Sequence, residues 1–305
     1  MTKKSPIRFS LGLSLIAFIL LSTCVQERAS ADKLGINTPR VTAMGQAGIG
    51  GALANSALVL NPAGMSAGAF YAVDANYFRS SEEANLIGIN IVDSQLRYTR
   101  DRVAVGIAYQ TQLKSGDSSG HDVLLGLSKA ISKIGNTMLL GGVSGRYIYD
   151  QSTDRDGFNL NAGLMLQASS ILSIGAVGYD LLEAGDRSFG VGVGITSRQL
   201  SINLDYLRQI ELAQNQYRIG AEAMLSDGFA IRAGYLHNQN QTTENTISNV
   251  ANLVSSYRFI SSQWSAGLAM IGLGGGDGQL SFSYTQPLDS DAFFFGLSLS
   301  TYLNM

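Results

Sequence analysis

Cysteine is nearly missing from this 305-residue sequence: Cys24 is the only one, and it lies inside an apolar leader. The chain after the leader therefore has no disulfide, no thiol nucleophile and no thiolate metal site. Histidine occurs twice, at 121 and 237, and without a carboxylate cluster beside them two imidazoles make a poor metal centre. Beyond the leader there is no run of eighteen or so apolar residues, so no transmembrane helix is available. Charge is sparse, 14% of residues, and it is not basic. Lys3, Lys4, Arg8 and Arg28 fall in the leader with Glu27. Of 21 basic and 23 acidic residues, 17 and 22 remain after it, a net charge of −5 that gives no reason to expect a nucleic-acid partner.

The leader itself reads as an export signal. Lys3, Lys4 and Arg8 form a positive start, and Leu11 to Leu21 is an apolar stretch of about ten residues, too short to span a bilayer. Ala29-Ser30-Ala31 supplies the small-x-small pattern of a cleavage site, which would leave Asp32 as the mature start. The rival is lipoprotein processing at Leu21-Ser22-Thr23-Cys24, where Thr23 is a poor residue just before a modified cysteine. An exported chain is expected in the outer membrane of a Gram-negative-type bacterium if its body forms membrane strands.

What the sequence does have is Gly (35), Tyr (13) and Phe (12), set in a period of two. Phe189, Val191, Val193 and Ile195 alternate with Ser188, Gly190, Gly192, Gly194 and Thr196. Phe158, Leu160, Ala162, Leu164 and Leu166 alternate with Asn159, Asn161, Gly163 and Gln167, Met165 being the exception. Tyr217, Ile219, Ala221, Ala223 and Leu225 alternate with Arg218, Gly220 and Glu222, and Leu280, Phe282 and Tyr284 with small polar residues. Segments of roughly nine to twelve residues with this period are the pattern of a transmembrane β-strand. Soluble sandwich strands are usually about five or six residues long, with a more heavily charged polar face.

The connections support the same reading. From about residue 115 they alternate long and short: Gly116–Gly120, Lys133–Asn136, Gln151–Asp156, Ser169–Ser170, Glu183–Asp186, Ser197–Gln199, Glu211–Gln216, Ser226–Gly228. Short periplasmic turns and longer external loops belong to an up-and-down outer-membrane barrel. The expected fold is all-β: an antiparallel transmembrane β-barrel of about 14 strands, over residues 69–305, ending on Phe293-Phe294-Phe295-Gly296-Leu297-Ser298-Leu299. A fifteenth candidate, Ala251 to Phe259, would break the even count, and Gln239–Gln263 is expected as a long external loop. The segment near 171–182 alternates poorly, leaving its register open. Gly274-Gly275-Gly276-Asp277-Gly278 lacks the helix and Lys-Ser/Thr of a phosphate loop and reads as a turn.

Residues 32–68 do not alternate. They are rich in Gly and Ala, and Asn61-Pro62 is a turn signal. The stretch Arg40-x-x-x-Met44-Gly45-x-Ala47-Gly48, the segment Ala54-Asn55-Ser56-Ala57 and Asn61-Pro62-Ala63-Gly64, all ahead of a strand-rich body, resemble the FadL-type outer-membrane transporters of hydrophobic compounds. The opening is also similar to that of the related PorV-like barrels that accompany type IX secretion. The resemblance implies a fourteen-stranded barrel with an N-terminal plug, or hatch, in its lumen that carries the Asn-Pro-Ala motif. Many relatives have an acidic residue where this chain has Asn55, and the chain is short for a fatty-acid transporter.

The candidate site residues follow. Asn61, Pro62, Ala63 and Gly64 are expected as plug or gating residues, either a moving hatch element or a static anchor. Arg146, Asp205, Arg218, Glu222 and Arg232 fall in the lumen-facing phase, as charged lining or as ordinary internal ion pairs. His121, beside Asp122 and several serines, could serve a lipase-like site but reads better as a strand–loop junction residue. His237 shares the phase of Ile231, Ala233 and Tyr235 and reads as an interfacial girdle residue. No catalytic residue, metal or cofactor is expected, and the chain is not read as an enzyme. The expected partners are outer-membrane lipid and a hydrophobic small-molecule ligand; the expected function is passive uptake of hydrophobic or amphipathic molecules. The alternative is an interaction barrel whose external loops dock secreted proteins.

Overall fold

The structure is a computed structural model that describes residues 37–80, 85–96, 103–113, 120–150, 155–182, 187–210, 214–226, 228–239, 262–273, 278–288 and 293–303. The export signal, the 240–261 stretch with its fifteenth candidate strand, and Gly274–Asp277 lie outside the described residues. Fourteen antiparallel strands close into one barrel. They are β1 Tyr71–Ser80, β2 Asn85–Leu96, β3 Val103–Leu113, β4 Gly120–Ile134, β5 Thr137–Asp150, β6 Arg155–Gln167, β7 Leu172–Tyr179, β8 Ser188–Thr196, β9 Leu200–Gln209, β10 Asn215–Ser226, β11 Phe229–Gln239, β12 Gln263–Leu273, β13 Gly278–Pro287 and β14 Phe294–Leu303. Each pairs with its sequence neighbours, and β1 closes the wall on β14 from Tyr71↔Leu303 to Ser80↔Phe294.

Alternation sets the two faces. On β8, Phe189, Val191, Val193 and Ile195 are exposed while Ser188, Gly190, Gly192 and Gly194 are buried. β3, β9 and β11 repeat this with Val105, Ile107, Leu204, Ile231 and Tyr235 outward. Large apolar side chains thus cover the outside, and most of the polar ones lie on the inside, the inverse of a soluble protein and the arrangement a bilayer imposes. Rings collect toward one end of the outer face: Tyr109, His121 and Tyr149 stack in one row, and Tyr206, Tyr217, His237 and Tyr235 make a second and Trp264, Tyr284 and Phe293 a third, partly stacked and partly tilted. Such a belt marks a membrane interface. The opposite end carries both ends of the wall, Tyr71 and Leu303, and tight turns such as Gly135-Asn136, where Gly135 takes φ +59.

β6 and β7 depart from the pattern, each for a visible reason. Met165 on β6 is an apolar residue facing inward, buried with Ala63 and Leu140. β7 is the shortest strand, and Val177, Gly178, Tyr179 and Asp180 are all buried in succession. Its ladder with β6 stops at Ala162↔Gly178. Beyond that point Asp180, at φ +54, donates its N–H to Asn161 Oδ1 (3.0 Å), and Leu182 N–H donates to Asn159 Oδ1 (3.2 Å). Side-chain amides thus replace the ladder as the chain bends inward, which is why residues 171–182 do not alternate.

Residues 37–68 form two short helices, α1 Pro39–Ala43 and α2 Ala54–Leu60, followed by a 3₁₀ helix Pro62–Ser66. Pro39 and Pro62 each sit in a first turn, where a missing N–H costs nothing, after a capping Thr38 and Asn61. The segment packs on inward-facing glycines that pair across neighbouring strands: Gly106↔Gly126, Gly142↔Gly163, Gly175↔Gly192 and Gly220↔Gly234. A methyl at Gly234 would lie 2.0 Å from Gly45 N, at Gly175 2.1 Å from Ile49 O, and at Gly142 2.4 Å from the Pro62 carbonyl carbon. Only a wall without side chains admits another backbone that closely.

Candidate functional site

Asn61 stands where the segment meets β6. Its Nδ2 donates to Ile49 O (2.9 Å) and Leu164 O (3.1 Å), and its Oδ1 accepts from Ala63 N–H (3.2 Å). One side chain therefore ties the loop before α2, the barrel wall and the 3₁₀ helix together. Pro62, Ala63 and Gly64 are buried beside it. Ser128 of β4 donates to Ala63 O (2.9 Å) and meets Ser66 Oγ at 2.7 Å, and the Tyr179 hydroxyl on the inturned end of β7 donates to Leu60 O.

Asp205, Arg218, Glu222 and Arg232 all face the lumen and meet, or are joined to, this segment. Asp205 accepts N–H bonds from Gly48 (2.7 Å) and Ile49 (3.0 Å), a charge-assisted clasp on a loop backbone. Arg218 donates to Gln46 O (3.2 Å). Glu222 accepts from Arg40 Nη2 (2.9 Å) and Nε (3.1 Å) on α1 and from Arg232 Nε (2.6 Å) on β11. The carboxylate of Glu222 holds the Arg40 guanidinium above its ordinary pKa, so Arg40 stays charged. Arg146 also faces inward, but its partner is a wall residue: Nη2 lies 2.5 Å from Asp122 Oδ2 and Nε 3.0 Å from both oxygens. Sequence reasoning missed Arg40 and Asp122 as partners. A lone arginine in a Gly/Ala-rich segment, and an aspartate in the inward phase of β4, were the available signals.

Both histidines lie on the outer face. His121 Nδ1 is 2.9 Å from the Tyr109 hydroxyl, and the ring stacks between Tyr109 and Tyr149. His237 stacks against Tyr217 and Tyr235. Asn55 is buried on α2.

The lumen face is not uniformly polar. Toward the ring-bearing end, Phe78, Leu86, Ile148, Tyr179, Leu207, Leu236 and Phe294 point inward and are at most 5% exposed. They come from seven strands spread around the wall. Lower down, Val92, Ala104, Ala108 and Leu124 form one apolar cluster with Val41, Leu58, Leu60 and Met65.

No family model matches the sequence, and no curated protein does. Solved structures do match in shape. The toluene transporter TbuX of Ralstonia pickettii superposes with a TM-score of 0.60 at 13% identity, over 89% of this chain and 99% of that one. The Pseudomonas putida toluene transporter TodX gives 0.57 at 10% identity, over 88% and 97%. The monoaromatic hydrocarbon channel CymD gives 0.53 at 12%, over 88% and 97%. The chain has the fold of these hydrocarbon channels. In this chain each lumen charge singled out from the sequence faces inward, and Asp205, Arg218 and Glu222 bind residues 40–49.

Proposed function

We propose that this chain is an outer-membrane channel for passive, inward movement of hydrophobic or amphipathic small molecules, with residues 37–67 as its hatch. The observation that carries this is the apolar inward ring of Phe78, Leu86, Ile148, Leu207, Leu236 and Phe294. A water-filled pore lines its lumen with polar groups. An apolar upper lumen instead favours partitioning of hydrocarbon, at about 0.8 kcal/mol per buried CH₂. That TbuX, TodX and CymD, which share the fold, are transporters or channels for toluene or monoaromatic hydrocarbons supports the same reading. A molecule enters from the external end, rests in the apolar ring, and passes when the hatch shifts around Asn61-Pro62-Ala63-Gly64. The polar clasps at Asp205, Arg218 and Glu222 hold the hatch shut between passages without covalent links.

The test is accumulation of radiolabelled toluene and oleate by outer-membrane-bearing cells that express the chain. Leu207→Asp and Leu236→Asp place charge in the ring. The initial rate for these variants should fall about tenfold or more, equivalent to about 1.4 kcal/mol less favourable entry. Heat-modifiable migration should show that the barrels remain closed. Equal rates in the variants and the parent would refute the apolar-ring reading.

A further inference from the structure

The outward surface of β7–β11 holds an apolar trough of about 540 Å³. Ile174, Val193, Leu204 and Ile219 line it, and Tyr217 and His237 stand at its end toward the aromatic belt. Val193, Leu204 and Ile219 lie in direct register across β8, β9 and β10. On the lumen side of the same strip, Gly192, Gly220 and Gly234 let the wall rest on the backbone of residues 44–50.

Two arginines stand just beyond the trough, past its end toward the aromatic belt. Arg208 is exposed on the outer face of β9, one outward position beyond Tyr206 and in register with Phe189 and Asn215. Arg187, also exposed, immediately precedes β8. The described outward-facing residues of β8–β11 include no carboxylate. Tyrosine and histidine rings set this end of the trough at headgroup depth. An arginine one register step further out is where a phosphate would sit, and guanidinium binds phosphate through paired N–H donors.

We propose that the trough is a binding site for a phosphate-bearing anionic membrane lipid, one acyl chain lying along Val193, Leu204 and Ile219 and the headgroup phosphate on Arg208. Apolar lining alone would accept any hydrocarbon that the bilayer presents. The arginine makes the site selective for negative charge.

The full chain, purified in detergent and stripped of lipid, is titrated with phosphatidylglycerol and with phosphatidylcholine under native mass spectrometry. Both lipids carry the phosphate, but choline adds a cation beside Arg208, so one phosphatidylglycerol should bind about tenfold more tightly than phosphatidylcholine. Arg208→Gln, at a strand end and outside the ladder's interior, should abolish that preference while leaving the barrel closed. Val193→Trp fills the trough and should remove the bound lipid, whereas Leu125→Trp, on the outer face of β4, should not. Equal binding of both lipids by the parent overturns the proposal, as does a preference that survives Arg208→Gln. A Val193→Trp variant that keeps its lipid and loses only a dimer would mean that a second copy of the chain occupies the trough, and also overturns it. No transport is measured, so the result stands apart from the uptake assay.

Discussion

Glu222 lies between two arginines from different parts of the chain, Arg40 ahead of the barrel and Arg232 on the adjacent strand. Glu222→Gln would leave the buried Arg232 guanidinium and the partly exposed Arg40 guanidinium without the carboxylate that both of them bind. The expected loss is about 3–5 kcal/mol, the usual cost of breaking one side of a buried pair. Urea unfolding in detergent measures it. Adding Arg40→Gln should recover more than about 0.5 kcal/mol of that loss, because groups in contact are not additive; strict additivity would deny the contact. Glu222, Asp205, Arg218, Arg232 and Arg146 were legible as inward residues, since a charge on a period-two membrane strand has only the lumen to face. Their partners were not, because Arg40, Gln46, Gly48 and Ile49 sit in a segment with no period from which to read a direction. Asn61 was legible as a turn residue, but its reach to Leu164 O depends on Gly163 leaving room for it.

At the scale of elements, the segments with the clearest alternation are strands in the structure, as β6, β8, β10 and β13, and the expected count of 14 holds. The weakest, β7, failed the pattern because its outer end leaves the wall and takes amide partners from Asn159 and Asn161. The inward glycines were readable as small residues in the lumen phase. That they pair across strands and carry residues 44–63 was not, since it depends on how two distant segments meet. The faces can be told apart by substitution. Val193→Arg or Leu164→Arg puts a charge toward lipid and should hinder assembly by about 2–4 kcal/mol near the midplane. Gly234→Ala puts nothing polar anywhere, yet its methyl would meet Gly45 N at 2.0 Å. It should leave assembly of the wall intact and speed hydrogen exchange in residues 44–51. If Gly234→Ala left exchange in that loop unchanged, the close packing there would be wrong.

For the whole molecule, the wall ladder runs from β1 to β14 without using any residue before Tyr71. Deleting residues 37–60 should therefore leave a heat-modifiable barrel. Without the segment packed on its inner face, that barrel should conduct small ions in a planar bilayer well above the parent. Unchanged conductance would mean that the segment does not close the lumen.

The central claim is that hydrophobic molecules cross when the hatch moves against the wall, and a reversible lock tests it. Ser66 on the 3₁₀ helix and Ser128 on β4 meet Oγ to Oγ at 2.7 Å, so the pair Ser66→Cys and Ser128→Cys is positioned to bridge. Residues 32–305 contain no other cysteine to compete. Cells expressing this double variant are assayed for radiolabelled toluene uptake before and after mild oxidation, with reductant added last. The account predicts uptake above that of cells lacking the chain when reduced, loss of that excess when oxidised, and recovery on reduction. Uptake that is the same in the oxidised and reduced states, with the disulfide shown to be formed, would contradict it.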